Sequence, residues 1–150
     1  MPKDLSLGMI SKKMTAEQKL TLSAVNEKIN IDSTSFSSTL LIPCDTGAGT
    51  VYYKTSIVNT HFDISPDMVY GPIDDLLDIG EIKTITAILT LGPAVYNFMA
   101  FRINGISQSV KWAGGSAPTL TANAFNVLTF SIIKTAASTY TVLGTMTKFA

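Results

Sequence analysis

The fold is decided by residues 110–133, VKWAGGSAPTLTANAFNVLTFSII, in which a turn precedes a long uncharged run. Gly114 and Gly115 allow the backbone a positive φ, so the pair predicts a sharp turn. Pro118 suits the first residue of a strand, where a missing N–H leaves no partner unsatisfied. The alternation of apolar and small polar residues after it predicts one continuous strand over residues 119–134.

The only tryptophan of the chain, Trp112, stands just before this turn. At the end of a strand its ring covers the edge of a core, while the indole N–H reaches a carbonyl. We therefore interpret Trp112 as a lid on the core, and an aromatic platform for stacking a sugar is the alternative. Leu128, Phe130 and Ile132 alternate with Val127, Thr129 and Ser131 along the following strand, so the two sets are predicted to lie on opposite sides of it.

Strand signals extend outward from this stretch over residues 36–150. Asn104-Gly105 is the strongest hairpin signal, and residues 81–92, EIKTITAILTLG, are apolar enough on both sides to predict a central strand. One helical turn is predicted in IDDLLDI, residues 73–79. Seven or eight strands, spaced by turns, predict an all-β fold, an antiparallel sandwich of the jelly-roll or immunoglobulin-like type.

Residues 1–35 differ from this β domain and are predicted to form a polar N-terminal arm. Thr15 and Gln18 fit a helix-capping box, and apolar residues then follow at helical spacing. Alternation at the start of the same segment favours a strand instead, so residues 15–29 are left as helix or strand. In either case the weak apolar stripe needs a partner surface, and the predicted anchor residues are Leu20, Leu22, Val25 and Ile29.

The composition points to an assembling protein. Only 15% of the residues are charged, against about 25% in typical soluble domains, and obligate interfaces are depleted in charge. No stretch of about 20 residues is apolar enough for a membrane span, and the N-terminus does not resemble a signal peptide. No segment interleaves basic and aromatic residues densely enough to predict nucleic-acid binding.

Candidates for chemistry are few. One histidine and one cysteine, His61 and Cys44, are too few for a zinc site or a disulfide. A hydrolase would have to use His61 with Asp45 or Asp63, but no nucleophile elbow accompanies them. The acids of PIDDLLDIGE, residues 72–81, lack the spacing of a calcium loop and are interpreted as a solvated helical turn. We therefore predict no catalytic, cofactor or metal residues.

The stretch Lys111 to Ile133 resembles a motif found near the C-terminus of tailed-bacteriophage virion proteins: a Trp, small residues, SAPTLTAN, a spacer and an apolar strand containing TF. The resemblance is close over this stretch and loose from residue 50 to the end, and the last hairpin departs from the pattern. The residues that carry it are Trp112, Gly114, Gly115, Ser116, Ala117, Pro118, Thr119, Leu120, Thr121 and Phe130.

What the resemblance implies is a structural role in a virion, with no enzymatic activity. Proteins with this ending are fibre, baseplate or capsid-surface components and are commonly homotrimers. A chain of 150 residues has no room for a fibre shaft, so we expect a capsid cement or decoration protein. Its arm would bind the major capsid protein or other virion proteins. The alternative is a small tail or head fibre, or a neck or tail adaptor, with binding of a host glycan; a small hydrolase is the least favoured reading.

Overall fold

The computed structural model describes residues 29–44, 50–67 and 72–150, and these residues form β-strands with one short helix, α1 (Ile73–Leu76). Helix α1 confirms the single helical turn that the sequence predicts there. The strands are β1 (Ile29–Asp32), β2 (Thr39–Pro43), β3 (Val51–Val58), β4 (Phe62–Asp67), β5 (Ile82–Leu91), β6 (Phe98–Ile103), β7 (Ile106–Gln108), β8 (Val110–Trp112), β9 (Phe125–Ala136) and β10 (Thr139–Phe149).

The strands form two sheets that pack face to face. The six-stranded sheet has the order β1-β3-β5-β9-β10-β8, and the four-stranded sheet has the order β2-β4-β6-β7. From β1 to β6 the chain crosses to the other sheet after every strand, and it then completes each sheet with strands from β7 to β10. The structure thus confirms a two-sheet, all-β architecture.

The prediction of wholly antiparallel pairing is wrong, because five of the eight pairings between described strands are parallel. Four of the five, β1–β3, β3–β5, β2–β4 and β4–β6, follow from the crossing of the chain between sheets. Each strand of the first half returns through the opposite sheet, so its next neighbour in its own sheet runs in the same direction. The jelly-roll and immunoglobulin-like types, which rest on antiparallel connections, are not confirmed.

Strand β5 lies in the middle of the six-stranded sheet, between β3 and β9, as its two apolar registers predict. Ile85, Ala87 and Leu89 point into the core, which the aromatic residues of both sheets complete. Phe101 of β6 and Phe130 of β9 meet across the two sheets with ring centroids 4.6 Å apart. This contact joins the sheets at the centre of the core.

The predicted hairpin is confirmed, since β6 and β7 pair antiparallel across Asn104 and Gly105. Both turn residues have positive φ, 50° and 79°, as a two-residue turn of this type requires. The predicted strand over residues 119–134 is only partly right, because β9 begins at Phe125. The residues before it form an irregular loop whose Leu120 is buried in the core.

Part of the predicted N-terminal arm belongs to the six-stranded sheet. Strand β1 pairs parallel with β3, and Ile29 lies opposite Val51. Of the predicted anchor residues, Ile29 therefore lies in a strand, with its side chain about half exposed. Leu20, Leu22 and Val25 lie outside the described residues, so the choice between helix and strand for the segment before Ile29 stays a prediction.

Candidate functional site

Trp112 covers the edge of the core at the end of β8. Its ring contacts Phe98 and Phe130 edge to face, with centroids 5.5 Å and 5.6 Å away. Gly144 of the neighbouring β10 leaves room for the ring, because a Cβ atom there would lie 2.8 Å from two of its carbons. A platform for a sugar needs an open ring face, so these contacts favour the structural interpretation of Trp112.

The turn after Trp112 has the geometry that its glycines predict. Gly114 and Gly115 have φ of 88° and 86°, and the Gly115 N–H donates to the Trp112 carbonyl at 3.0 Å. Pro118 lies in the irregular loop before β9 and does not begin a strand. The structure thus brings Trp112 and Phe130 together in the core, while the glycines and Pro118 shape the chain between them.

Asn126 organises the loop before β9, and the sequence analysis missed it. Its side chain is fully buried. The side-chain oxygen accepts from the Thr121 N–H at 2.8 Å, and the amide nitrogen donates to the carbonyls of Thr121 and Ala124. The available signal was a polar residue in register with the core positions Leu128 and Phe130. A buried amide in such a place needs partners nearby, and it finds them by folding the preceding segment back.

His61 and Asp63, which the sequence offers as a hydrolase pair, are each bonded to another residue. His61 Nδ1 accepts a hydrogen bond from the Asn97 N–H at 3.0 Å, and the His61 ring packs edge to face on Tyr96. Asp63 instead accepts from Arg102 Nε at 2.6 Å. Asp45 lies outside the described residues. The contacts of His61 and Asp63 therefore hold the start of β4 against β6 and the residue before it.

The acids around α1 bind protein groups. Glu81 accepts from the Asp78 N–H at 2.9 Å, and Asp74 accepts from several donors of the β9–β10 hairpin. Within residues 29–44, 50–67 and 72–150, no group of three or more His, Cys, Asp or Glu side chains could hold a metal ion. The hydrogen bonds of Asp74 therefore hold α1 against the six-stranded sheet.

A buried lysine, Lys54, ties the edge strand β1 to β3. It is 3% exposed, and its ammonium group donates to Asp32 at 2.6 Å and to Thr34 at 2.9 Å. The Tyr52 hydroxyl donates to the same Asp32 carboxylate. Burial raises the pKa of Asp32, but the hydrogen bonds from Lys54, Tyr52 and Thr34 lower it by more, so the net pKa lies well below its usual value.

A second cluster of the same three residue types holds α1. Lys134 of β9 donates to the carbonyls of Asp74 and Leu77 at 2.6 Å and 2.8 Å, and its ammonium group lies 3.0 Å from the Asp74 carboxylate. Hydrogen bonds from Lys134, and then from Tyr140, hold the pKa of Asp74 well below its usual value. Burial and the hydrogen bond to Asp74 raise the pKa of Tyr140 to about 12. Together these hydrogen bonds join α1 to the β9–β10 hairpin.

The outer side of the six-stranded sheet carries no charge on five of its strands, β1, β3, β5, β9 and β10. We call this surface the neutral face. Its hydroxyl members are Thr84, Thr86, Thr90, Thr129, Ser131, Thr141, Thr145 and Thr147. Its apolar members are Ile29, Ile31, Val51, Tyr53, Ile57, Ile82, Ile88, Phe125, Val127, Ile133, Leu143 and Phe149.

The members of the neutral face form rows across the strands. Thr86 and Thr129 bond through their hydroxyls at 3.2 Å, and Thr84 and Ser131 do the same at 3.2 Å. Tyr53 and Phe125, which lie in the next two rows, are in diagonal edge-to-face contact. At that end, Phe125 and Phe149 line a shallow open groove. Lys111, on the edge strand β8, is the charged residue at the rim.

The outer side of the four-stranded sheet has a different chemistry. It carries the ion pair between Asp63 and Arg102, and Arg102 also donates to the Gly105 carbonyl. Ser107 lies beside Arg102 on β7. Among the described residues, the largest uncharged outer surface is therefore the neutral face, which ends at Lys111 on β8. The low charge of the chain predicted an assembling protein but did not show where its assembly surface lies.

No family model, curated protein or solved structure matches this chain. None of the helical segments in the described parts of the chain is long and apolar enough to cross a membrane. The candidate site is therefore defined by its own residues: a large neutral face on one sheet, and a Trp112 turn built into the core at the end of the same sheet.

Proposed function

We propose that this chain is a non-catalytic structural protein of a bacteriophage virion. In this proposal it decorates or cements the capsid, and its copies assemble as a homotrimer. The neutral face is the observation that carries the proposal. A surface of this size without charge is rare on a protein that works alone, and exposed apolar surface of several hundred Å² marks interaction sites. The stretch from Lys111 to Ile133 resembles phage virion proteins, and this resemblance is the reason for proposing a virion as the assembly.

The surroundings of the other polar side chains support a structural role. Lys54 and Lys134 are buried and bonded to carboxylate, hydroxyl or carbonyl groups of neighbouring segments. His61 and Asp63 are engaged by Asn97 and Arg102. Each of these contacts fixes one strand or loop to another, which is what a protein that must hold a rigid surface requires.

A quantitative particle-binding assay tests the proposed function. Purified protein is added to phage particles or empty shells that lack it, and bound copies are counted by mass spectrometry against the major capsid protein. We expect hundreds of copies per particle for capsid decoration. A dozen or fewer would favour the fibre, neck or tail adaptor, and no binding to any particle would contradict the virion role.

A further inference from the structure

We infer that the neutral face is the surface through which copies of this chain bind one another. This inference rests on the proposed assembly as a homotrimer and adds the place where the copies meet. It assigns the face to further copies of the same chain, and leaves the shell to be bound elsewhere. The argument comes from the charge, area and hydrogen bonding of the face.

The absence of charge makes the neutral face complementary to itself. In a cyclic trimer the residues of the face nearest the three-fold axis meet their own copies, and the others meet different residues of the same face. A charged side chain near the axis would therefore face its own copies and repel them. Threonine, isoleucine and phenylalanine side chains have no such penalty. Lys111, the charged neighbour, lies on the edge strand β8, where a rim residue stays solvated.

The area of the neutral face matches what a stable interface uses. Neighbouring strands lie about 4.8 Å apart, and strands of nine residues are about 30 Å long. The five strands of the neutral face average nine residues, so they cover roughly 700 Å². A standard interface buries about 800 Å² on each partner. The area of the neutral face is therefore close to the area that one partner buries in a standard interface.

Several hydroxyls of the neutral face already have hydrogen-bond partners within the sheet. Thr86 bonds to Thr129, and Thr84 to Ser131, within the sheet itself. Removing water from a hydroxyl that already has a hydrogen-bond partner costs less free energy than removing it from a hydroxyl without one. The apolar members between these rows are still open to solvent, with Ile57, Phe149 and Leu143 between 41% and 58% exposed. Their burial would supply the free energy of association.

The experiment compares two leucines in similar positions on opposite outer surfaces. Leu143 of β10 lies on the neutral face and is 41% exposed, while Leu41 of β2 lies on the four-stranded sheet and is 50% exposed. The test variant is Leu143→Glu and the matched control is Leu41→Glu. A second pair, Thr145→Arg and Ser107→Arg, repeats the comparison with the opposite charge at two exposed positions.

The measurement is the mass of the full-length protein in solution, by light scattering or sedimentation, over a range of concentrations. We expect wild type and both control variants to be oligomers. Leu143→Glu and Thr145→Arg should weaken the oligomer, so that on dilution they reach the monomer mass of 16.1 kDa at a concentration about 100-fold higher than wild type does. Circular dichroism identifies any variant that fails to fold. If one of the two neutral-face variants does not fold, the oligomeric state of the other one tests the inference.

Each other outcome separates the inference from the proposed function. An oligomer that persists in both folded variants of the neutral face, or that the control variants disrupt equally, overturns the inference and leaves the virion role standing. The inference is also overturned if wild type is a monomer that binds particles and the Leu143→Glu variant does not bind them. In that case the neutral face binds the capsid protein. A monomer that binds no particle overturns both proposals.

Discussion

At the scale of single residues, Gly144 decides whether the edge of the core can close. It lies in β10 directly between Trp112 of β8 and Phe130 of β9. The two rings meet across it, with centroids 5.6 Å apart. A glycine inside a strand often marks a place where other atoms come close. Here the space that its missing side chain leaves is filled by the tryptophan ring.

We predict that Gly144→Ala destabilises the fold by roughly 1–3 kcal/mol, the usual range for overpacking a core. The new Cβ would lie 2.7 Å from Val110 and 2.8 Å from the Trp112 ring, so the ring must move. Chemical denaturation followed by the fluorescence of Trp112, the only tryptophan, measures both effects. Thr145→Ala, on the opposite side of the same strand, is the control. Equal stability of Gly144→Ala and wild type would show that the ring is not held against this strand.

Gly115 tests a different residue-scale requirement, since a Cβ at this position would meet no atom within 4 Å. Its φ of 86° is unfavourable for a β-branched residue. Gly115→Val should therefore lower stability by about 1–2 kcal/mol through backbone strain alone. Gly115→Asn should be milder, because asparagine tolerates positive φ better. Thermal melting of the two variants checks the order, and a Val variant as stable as the Asn variant would contradict it.

At the scale of elements, two lysine–aspartate–tyrosine clusters fasten the segments that hydrophobic packing leaves weakly held. Strand β1 is short and lies at the sheet edge, and Asp32 anchors it to Lys54. Helix α1 is a single turn, and Lys134 holds two of the carbonyls at its end. A single helical turn is not stable by itself, so such contacts decide whether it forms.

The Asp32 cluster predicts a dependence of stability on pH. Because the pKa of Asp32 is lowered on folding from 3.8, its contribution is present above about pH 4 and is lost as the pH falls below it. Asp32→Asn should reduce the free energy of unfolding at pH 7 by about 1 kcal/mol, since solvent reaches the carboxylate and screens it. The difference from wild type should shrink toward pH 2.

Urea denaturation at pH 7 and at pH 2–3 measures this difference. Asp75→Asn is the matched control, because Asp75 is an exposed acid on α1. A gap between wild type and Asp32→Asn that stays constant over this range would mean that the carboxylate charge is not what holds β1.

How far the elements could be predicted depends on the kind of signal. The central position of β5 and the hairpin at Asn104 followed from local patterns, because they depend on neighbouring residues. The parallel pairing of β1 with β3 could not be predicted, since alternation shows which side of a strand is buried and not which strand lies beside it. The start of β9 was missed because the Asn126 side chain outweighs the strand preference of the residues before it.

The clusters and the neutral face were visible only in part. Lys54 shares a register with the inward Tyr52, which was a usable signal for a buried, paired lysine. Its partner Asp32 could not be identified, because the two residues meet through strand pairing. The low charge of the chain predicted an assembly surface. Its concentration on one sheet depends on strand order, which the sequence analysis did not supply.

At the scale of the whole molecule, the six-stranded sheet includes residues 29–32 of the predicted arm. The sequence divided the chain into an arm, residues 1–35, and a domain, residues 36–150. Because β1 is bonded to β3, a deletion that tests the arm should end before Ile29.

We predict that deletion of residues 1–28 leaves the melting temperature nearly unchanged and lowers the number of copies bound per particle, as expected of a capsid anchor. Deletion of residues 1–35 should destabilise the domain by roughly 2–4 kcal/mol, because it removes the whole of β1 in addition to Asp32, the carboxylate partner of the buried Lys54. Calorimetry and particle binding of both forms test the two effects separately. Full particle occupancy after the shorter deletion would contradict the anchor role.

The crossing of the chain between sheets also sets an order of events during synthesis. Strand β5 leaves the ribosome well before β9, its neighbour on one side, because β6, β7, β8 and the Trp112 turn are made between them. During that time β5 has an open edge, to which a strand of another nascent chain could add. We expect that slowing translation through residues 92–124 would increase strand exchange between chains made on one messenger.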